Sequence, residues 1–102
     1  MATSKIEMQT GGTYAQASRV IDYGTNTSIK PSRNGWLVAR GVNTETQTSQ
    51  PIVRIKANGN IIAEGVGLTP NDSWTHATAA VKGGETYTIE VFRCHLSNVK
   101  LF

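Results

Sequence analysis

Ile52-Val-Arg-Ile-Lys-Ala57, then Asn58-Gly59, then Asn60-Ile-Ile-Ala-Glu-Gly65 is the stretch on which the fold of this chain turns. Two runs rich in β-branched residues meet at an Asn-Gly pair, the strongest short-range signal for a β-hairpin. Asn and Gly both tolerate positive φ, so the backbone can reverse there within two or three residues. A two-residue type I′ turn pairs Ile55 with Ile62 and Arg54 with Ala63. A type I turn with a bulge at Gly59 instead pairs Ile55 with Ile61 and Val53 with Ala63. A slip of one residue exchanges the two faces of a strand, so the sequence leaves open which isoleucine is inside. In both registers Val53, Ile55 and Ala57 share one face, while Ile52, Arg54 and Lys56 share the other.

The same alternation runs outward from the hairpin. Downstream, Gly65 to Asp72 carries turn chemistry, and Trp74 to Val81 reads as a strand with Trp74, His76, Thr78 and Ala80 opposite Thr75, Ala77, Ala79 and Val81. Lys82-Gly83-Gly84-Glu85 turns the chain into Thr86–Phe92, where Tyr87, Ile89 and Val91 alternate with threonines and Glu90. Val99–Phe102 reads as a closing strand. Upstream, residues 43–51 hold no apolar side chain but Pro51 and read as an exposed loop. Before it, Trp36–Val42 is a strand in which Trp36, Val38 and Arg40 alternate with Leu37, Ala39 and Gly41. Two short strands are expected at Val20–Tyr23 and Ser28–Lys30, the latter stopped by Pro31. Residues 1–19 show no period and read as an N-terminal arm or connector to a single domain at 20–102. Seven or eight short strands with turns every 8–12 residues or so, and no helical periodicity, define an all-β chain: an antiparallel β-sandwich or jelly roll.

Composition narrows the functions. In 102 residues there is room for one core, and 38% hydrophobic residues make it a lean one that an oligomer would relieve. The net charge of +3 is scattered from Lys5 to Lys100, without the clustered basic patch and interleaved aromatics of a nucleic-acid groove. No secretion signal opens the chain and no apolar run approaches a membrane span, so neither nucleic acid nor membrane insertion is expected. One cysteine, Cys94, excludes an internal disulfide and a multi-thiolate metal site, and it reads as a small buried hydrophobe beside His95. No nucleophile elbow, phosphate loop or His-x-x-x-His pair is present. Asp72, Glu64, Glu85 and Glu90 read as solvated carboxylates rather than a hydrolytic pair. The expectation is a protein that is not an enzyme and takes no cofactor or metal.

Asp22-Tyr23, Pro31, Asn34-Gly35-Trp36-Leu37-Val38, the Asn58-Gly59 hairpin and Ala80-Val81-Lys82-Gly83-Gly84-Glu85-Thr86-Tyr87-Thr88-Ile89 follow one another in an order that resembles the β-sandwich tips of bacteriophage tail fibres and tailspikes. Those domains carry an Asp/Asn-Gly-aromatic strand opening, a central Asn-Gly hairpin and a turn of the Val-Lys-Lys-Gly-Asp-Thr-Tyr kind. The resemblance covers residues 20–102. Gly83-Gly84-Glu85 departs from the Lys-Gly-Asp turn, and Arg93-Cys94-His95 stands where an aromatic or apolar ending is expected. It implies a non-enzymatic homotrimeric tip in the virion, made in the host cytoplasm, that recognises a bacterial surface polysaccharide or another cell-surface receptor. The chain would be an excised tip or a very small virion protein. A structural decoration or fibre-assembly protein without its own ligand is the alternative, and a cellular carbohydrate-binding module is a third reading.

Sugar recognition needs an exposed aromatic face for the apolar side of a ring, with amides and carboxylates to match its hydroxyls. Asn71-Asp72-Ser73-Trp74 supplies all of these within four residues, and Gln47 and Gln50 of the other polar loop would add amides if the two loops share an end. The competing reading of Trp74 is that it begins a strand and packs inward. Trp36, heading a strand with Leu37, Val38 and Ala39, is expected to be buried and structural.

Overall fold

The computed structural model describes residues 19–102, so the connector expected at 1–19 lies, apart from Arg19, outside the described residues. Eight strands run in order: β1 (Ile21–Asp22), β2 (Ser28–Ile29), β3 (Gly35–Val42), β4 (Ile52–Ala57), β5 (Asn60–Val66), β6 (Trp74–Val81), β7 (Tyr87–Phe92) and β8 (His95–Leu101), with no helix among the described residues. They form two antiparallel four-stranded sheets, β1-β8-β3-β6 and β2-β7-β4-β5, packed as a sandwich.

Alternation dictates what lies between the sheets. Leu37 and Ala39 of β3, Val53 and Ile55 of β4, Ala77, Ala79 and Val81 of β6, Tyr87 and Ile89 of β7, and Val99 and Leu101 of β8 are buried there, joined by Ile29. The layer is thin, because β6 contributes chiefly alanines and Tyr87 is the core's one aromatic residue. Tyr87 also holds the following architecture in place: its hydroxyl accepts the Lys82 amide at 2.8 Å and donates to Glu85, pinning the turn between β6 and β7. On the β5/β6 side the two sheets close on each other backbone to backbone. A Cβ at Gly65 would run into the carbonyl oxygen of His76, so only glycine lets β5 approach β6 there.

Two expectations need correction. Trp36 is not core: it is 57% exposed. Leu37 and Trp36 cannot both face inward from adjacent positions, and Leu37 takes the inner slot opposite Ala79 and Leu101, sending Trp36 out opposite Ala80. In the central hairpin Asn58 and Gly59 both have positive φ (52° and 79°) and Ala57 pairs with Asn60, as a two-residue type I′ turn requires. A bulge then intervenes, so that Lys56 faces Ile61 but Ile55 faces Ala63. Neither isoleucine is inside: Ile61 and Ile62 are 50% and 44% exposed.

The closing strand begins at His95, four residues before the expected Val99, and a second bulge lets it pair along most of β3. Strand directions put the β3–β4, β5–β6 and β7–β8 connections at one end of the sandwich. The β2–β3, β4–β5 and β6–β7 turns lie at the other end with Arg19 and Phe102. At that second end Arg33 ties both chain segments down, donating to the carbonyls of Arg19 (2.8 Å) and Phe102 (3.2 Å).

Candidate functional site

The site is assembled at the end opposite Arg19 and Phe102, and its keystone is an asparagine. The inward slots of β3 run Leu37, Ala39, Gly41, and the next position in that period is Asn43, which is fully buried. Its side-chain amide donates to the carbonyls of Leu68 (2.9 Å), Thr69 (3.3 Å) and Pro70 (3.0 Å), holding the β5–β6 loop from beneath. Main-chain bonds complete the join. Asn43 donates to Ser73 and accepts from Asp72, while Gln47 donates to Thr69 at 2.7 Å and Gly67 donates to Pro51 at 2.9 Å. The amide of Asn71 reaches the hydroxyl of Thr46. The two polar loops, residues 43–51 and 67–73, are thereby one bonded unit.

Within that unit Ser73 donates to the Pro70 carbonyl across a tight turn, and Asp72 occupies its third position at φ 67°. Aspartate is among the few non-glycine types that take this left-handed conformation readily, and it leaves the carboxylate exposed at the loop crest. Asn71 is exposed beside it. Trp74 follows as the first residue of β6. It lies on the outer face of the sheet, 46% exposed, with the Arg40 guanidinium 4.3 Å from its ring centroid. That stacking fixes the indole against β3 and leaves the competing inward packing unrealised.

All five residues expected to contact a ligand, Gln47, Gln50, Asn71, Asp72 and Trp74, belong to or adjoin the stitched loops. Gln50 is exposed, and its carbonyl accepts Arg93 Nε at 2.8 Å, tying the loop to the β7–β8 turn, where Arg93 itself sits at φ 58°. Sequence reasoning passed over Asn43 and Arg40. Both were readable from the period of β3, which sends Asn43 inward and Arg40 outward to the tryptophan paired one row away.

Cys94 packs beneath this end with its sulfur toward the Ile52 carbonyl. Burial pushes its thiol up, against smaller opposing effects of the Phe92 backbone and the Arg93 charge. A thiol so raised stays protonated at neutral pH and acts as a packed group. Among the described residues no three His, Cys, Asp or Glu side chains gather into a metal-sized cluster, and no helix is long and apolar enough to cross a membrane. Comparison with protein-family models, with curated proteins and with solved structures finds no match.

Proposed function

We propose that this domain is a non-enzymatic receptor-binding tip of a bacteriophage tail fibre or similar fibre, recognising a bacterial surface glycan through the loops around Asp72 and Trp74. The observation that carries this reading is the stitched pair of loops. A rigid platform holds an exposed indole, an exposed carboxylate and exposed amides at the end of the sandwich farthest from Arg19 and Phe102. Sugar binding rewards such an arrangement, because loops ordered beforehand lose little entropy when a flexible glycan docks.

The nested pairing supports a jelly roll as the specific fold. The first strand pairs with the eighth, the second with the seventh, the third with the sixth and the fourth with the fifth. Eight-stranded jelly rolls recur in viral coat and lectin domains, which agrees with a virion protein that binds sugar.

A homotrimer completes the reading, and the outer face of the second sheet supports it. Val66, Ile52 and Phe92 form an apolar row across β5, β4 and β7, with Ile61 and Ile62 exposed farther along β5. The charges between them cancel locally, Arg54 with Glu64 at 2.6 Å and Lys56 with Glu90 at 3.3 Å. A face that meets its own copy must be free of net like charge, and this one is.

The test is attachment of purified protein to susceptible bacteria, comparing the wild type with a Trp74→Ala/Asp72→Ala double variant. Attachment lost with the melting temperature retained supports the site. Full attachment by the variant moves the site elsewhere, and absence of any attachment by the wild type favours a structural virion component.

A further inference from the structure

The outer face of the first sheet has no counterpart to the ion pairs of the second. Rows read across β6, β3 and β8 are Ala80–Trp36, then Thr78–Val38–Lys100, then His76–Arg40–Asn98, then Trp74–Val42–His95. The charged or titratable groups here are Arg40, His76, His95 and Lys100, against one carboxylate, Asp22, beside Lys100 on β1. Asp22 is already engaged, accepting the Gly24 amide at 2.8 Å. None of the four basic groups forms an ion pair among the described residues. In the middle of the face, Arg40 Nε and Asn98 Oδ1 are buried atoms on cross-strand neighbours, and neither has a hydrogen-bond partner. Buried polar atoms of this kind are rare in folded proteins and call for an explanation.

Two exposed tryptophans bracket this basic strip. Trp74 lies opposite Val42, six positions along β3 from Trp36, which places the rings about 20 Å apart on one face. That is the span of a short chain of sugar rings rather than of one. We infer that the outer face of the first sheet is a binding track for an acidic polysaccharide, with Trp36 and Trp74 stacking on sugar rings and Arg40 receiving a carboxylate between them. The guanidinium lies over the Trp74 ring, 4.3 Å from its centroid, without an ion-pair partner among the described residues; its Nε is buried, so a ligand carboxylate would meet the terminal amino groups. Lys100 adds a second positive charge beside that position and His76 and His95 supply imidazole hydrogen-bonding groups, while Asp72 at the loop crest would meet neutral hydroxyls.

This track rests on the glycan-binding reading, extends its site from the loops onto the sheet, and specifies the ligand's charge. The test is binding of the full chain to a panel of polygalacturonate, alginate and polysialic acid, each beside its carboxyl-reduced neutral form, with duplex DNA as a polyanion control. At least one acidic polymer should bind, and its reduced form should bind about tenfold more weakly or not at all. Arg40→Gln should lose about tenfold in affinity for the acidic polymer with an unchanged melting temperature. Arg40→Lys should recover only part, since it keeps the charge without the flat fork. Trp36→Ala should weaken binding of long chains more than of disaccharides. Equal binding of acidic and reduced polymers, indifferent to Arg40→Gln, would overturn the track while leaving glycan recognition at the loops intact. DNA bound as tightly as any polyuronate, or no acidic polymer bound at all, would also overturn it.

Discussion

On the outer face of the second sheet Arg54 is closed by Glu64 and Lys56 by Glu90, and apolar side chains surround the two pairs. On the outer face of the first, Arg40, His76, His95 and Lys100 stand with one carboxylate and two exposed tryptophans. Both faces come from strands of the same alternating design around a shared core. The difference lies in what the outward positions carry, and under the proposed reading it separates a surface suited to its own copy from one suited to an anion. Neutral, apolar and self-complementary chemistry favours association between identical chains. Unpaired cations such as Arg40 and Lys100 facing identical cations do not, and under the proposed reading they meet a ligand of opposite sign.

The comparison can be broken most forcefully where the two sheets meet. Gly65→Val forces a side chain into the His76 carbonyl, and we expect a loss of at least about 3 kcal/mol in chemical denaturation. If stability is unchanged, the sheets are not closed at β5 and β6, and the two faces are not fixed relative to each other. Asn43→Ala removes the bonds that hold the β5–β6 loop and should cost about 1–3 kcal/mol, with faster amide exchange at Leu68, Thr69, Asn71 and Asp72. Intact protection there would contradict the stitched loop unit.

Smaller effects sharpen the contrast between faces. Trp36→Ala should cost about 1 kcal/mol or less, well short of the about 3–5 kcal/mol of a buried tryptophan, because the ring lies outside the core. An Ile61→Lys/Ile62→Lys double variant should change the stability of the single chain by only about 0.5 kcal/mol. Its effect should show in assembly: light scattering should report 11.0 kDa where the wild type gives three times that mass. A wild type already at 11.0 kDa removes the trimer and leaves the first-sheet face untouched.

Much of this fold was legible because period-two alternation is a local property. The strand Trp74–Val81 was readable to the residue, since the small residues Thr75, Ala77, Ala79 and Val81 fill every second position. Tyr87, Ile89 and Val91 were readable as the inner face of β7 for the same reason. What alternation cannot provide is its own phase once a bulge intervenes. The Asn58-Gly59 turn was legible, but the extra residue at Ile61–Ile62 was not, and it turned both isoleucines outward. Likewise His95-Leu96-Ser97-Asn98 shows no clean alternation, because a bulge opposite Arg40 and Gly41 breaks the period.

The arrangement of the candidate site was half legible. Residue chemistry pointed to Asn71, Asp72 and Trp74, while the join between their loop and Gln47 depends on long-range bonds from Asn43. Trp36 shows the limit of reasoning from size. A large aromatic at the head of an apolar strand suggests core, yet its neighbour Leu37 fits the thin layer between the sheets and takes the place.

The two tryptophans also supply the most direct measurement. Each contributes one indole N–H signal in nitrogen-labelled protein, one near the loop crest and one at the far end of the first sheet. Titration with the acidic polysaccharide best retained in the panel should shift both indole signals saturably, together with the Arg40 Nε–H, and leave the amides of Ile61, Ile62 and Val66 in place. Shifts confined to β4, β5 and β7, with both indoles unmoved, would contradict the assignment of ligand binding to the first sheet and its loops.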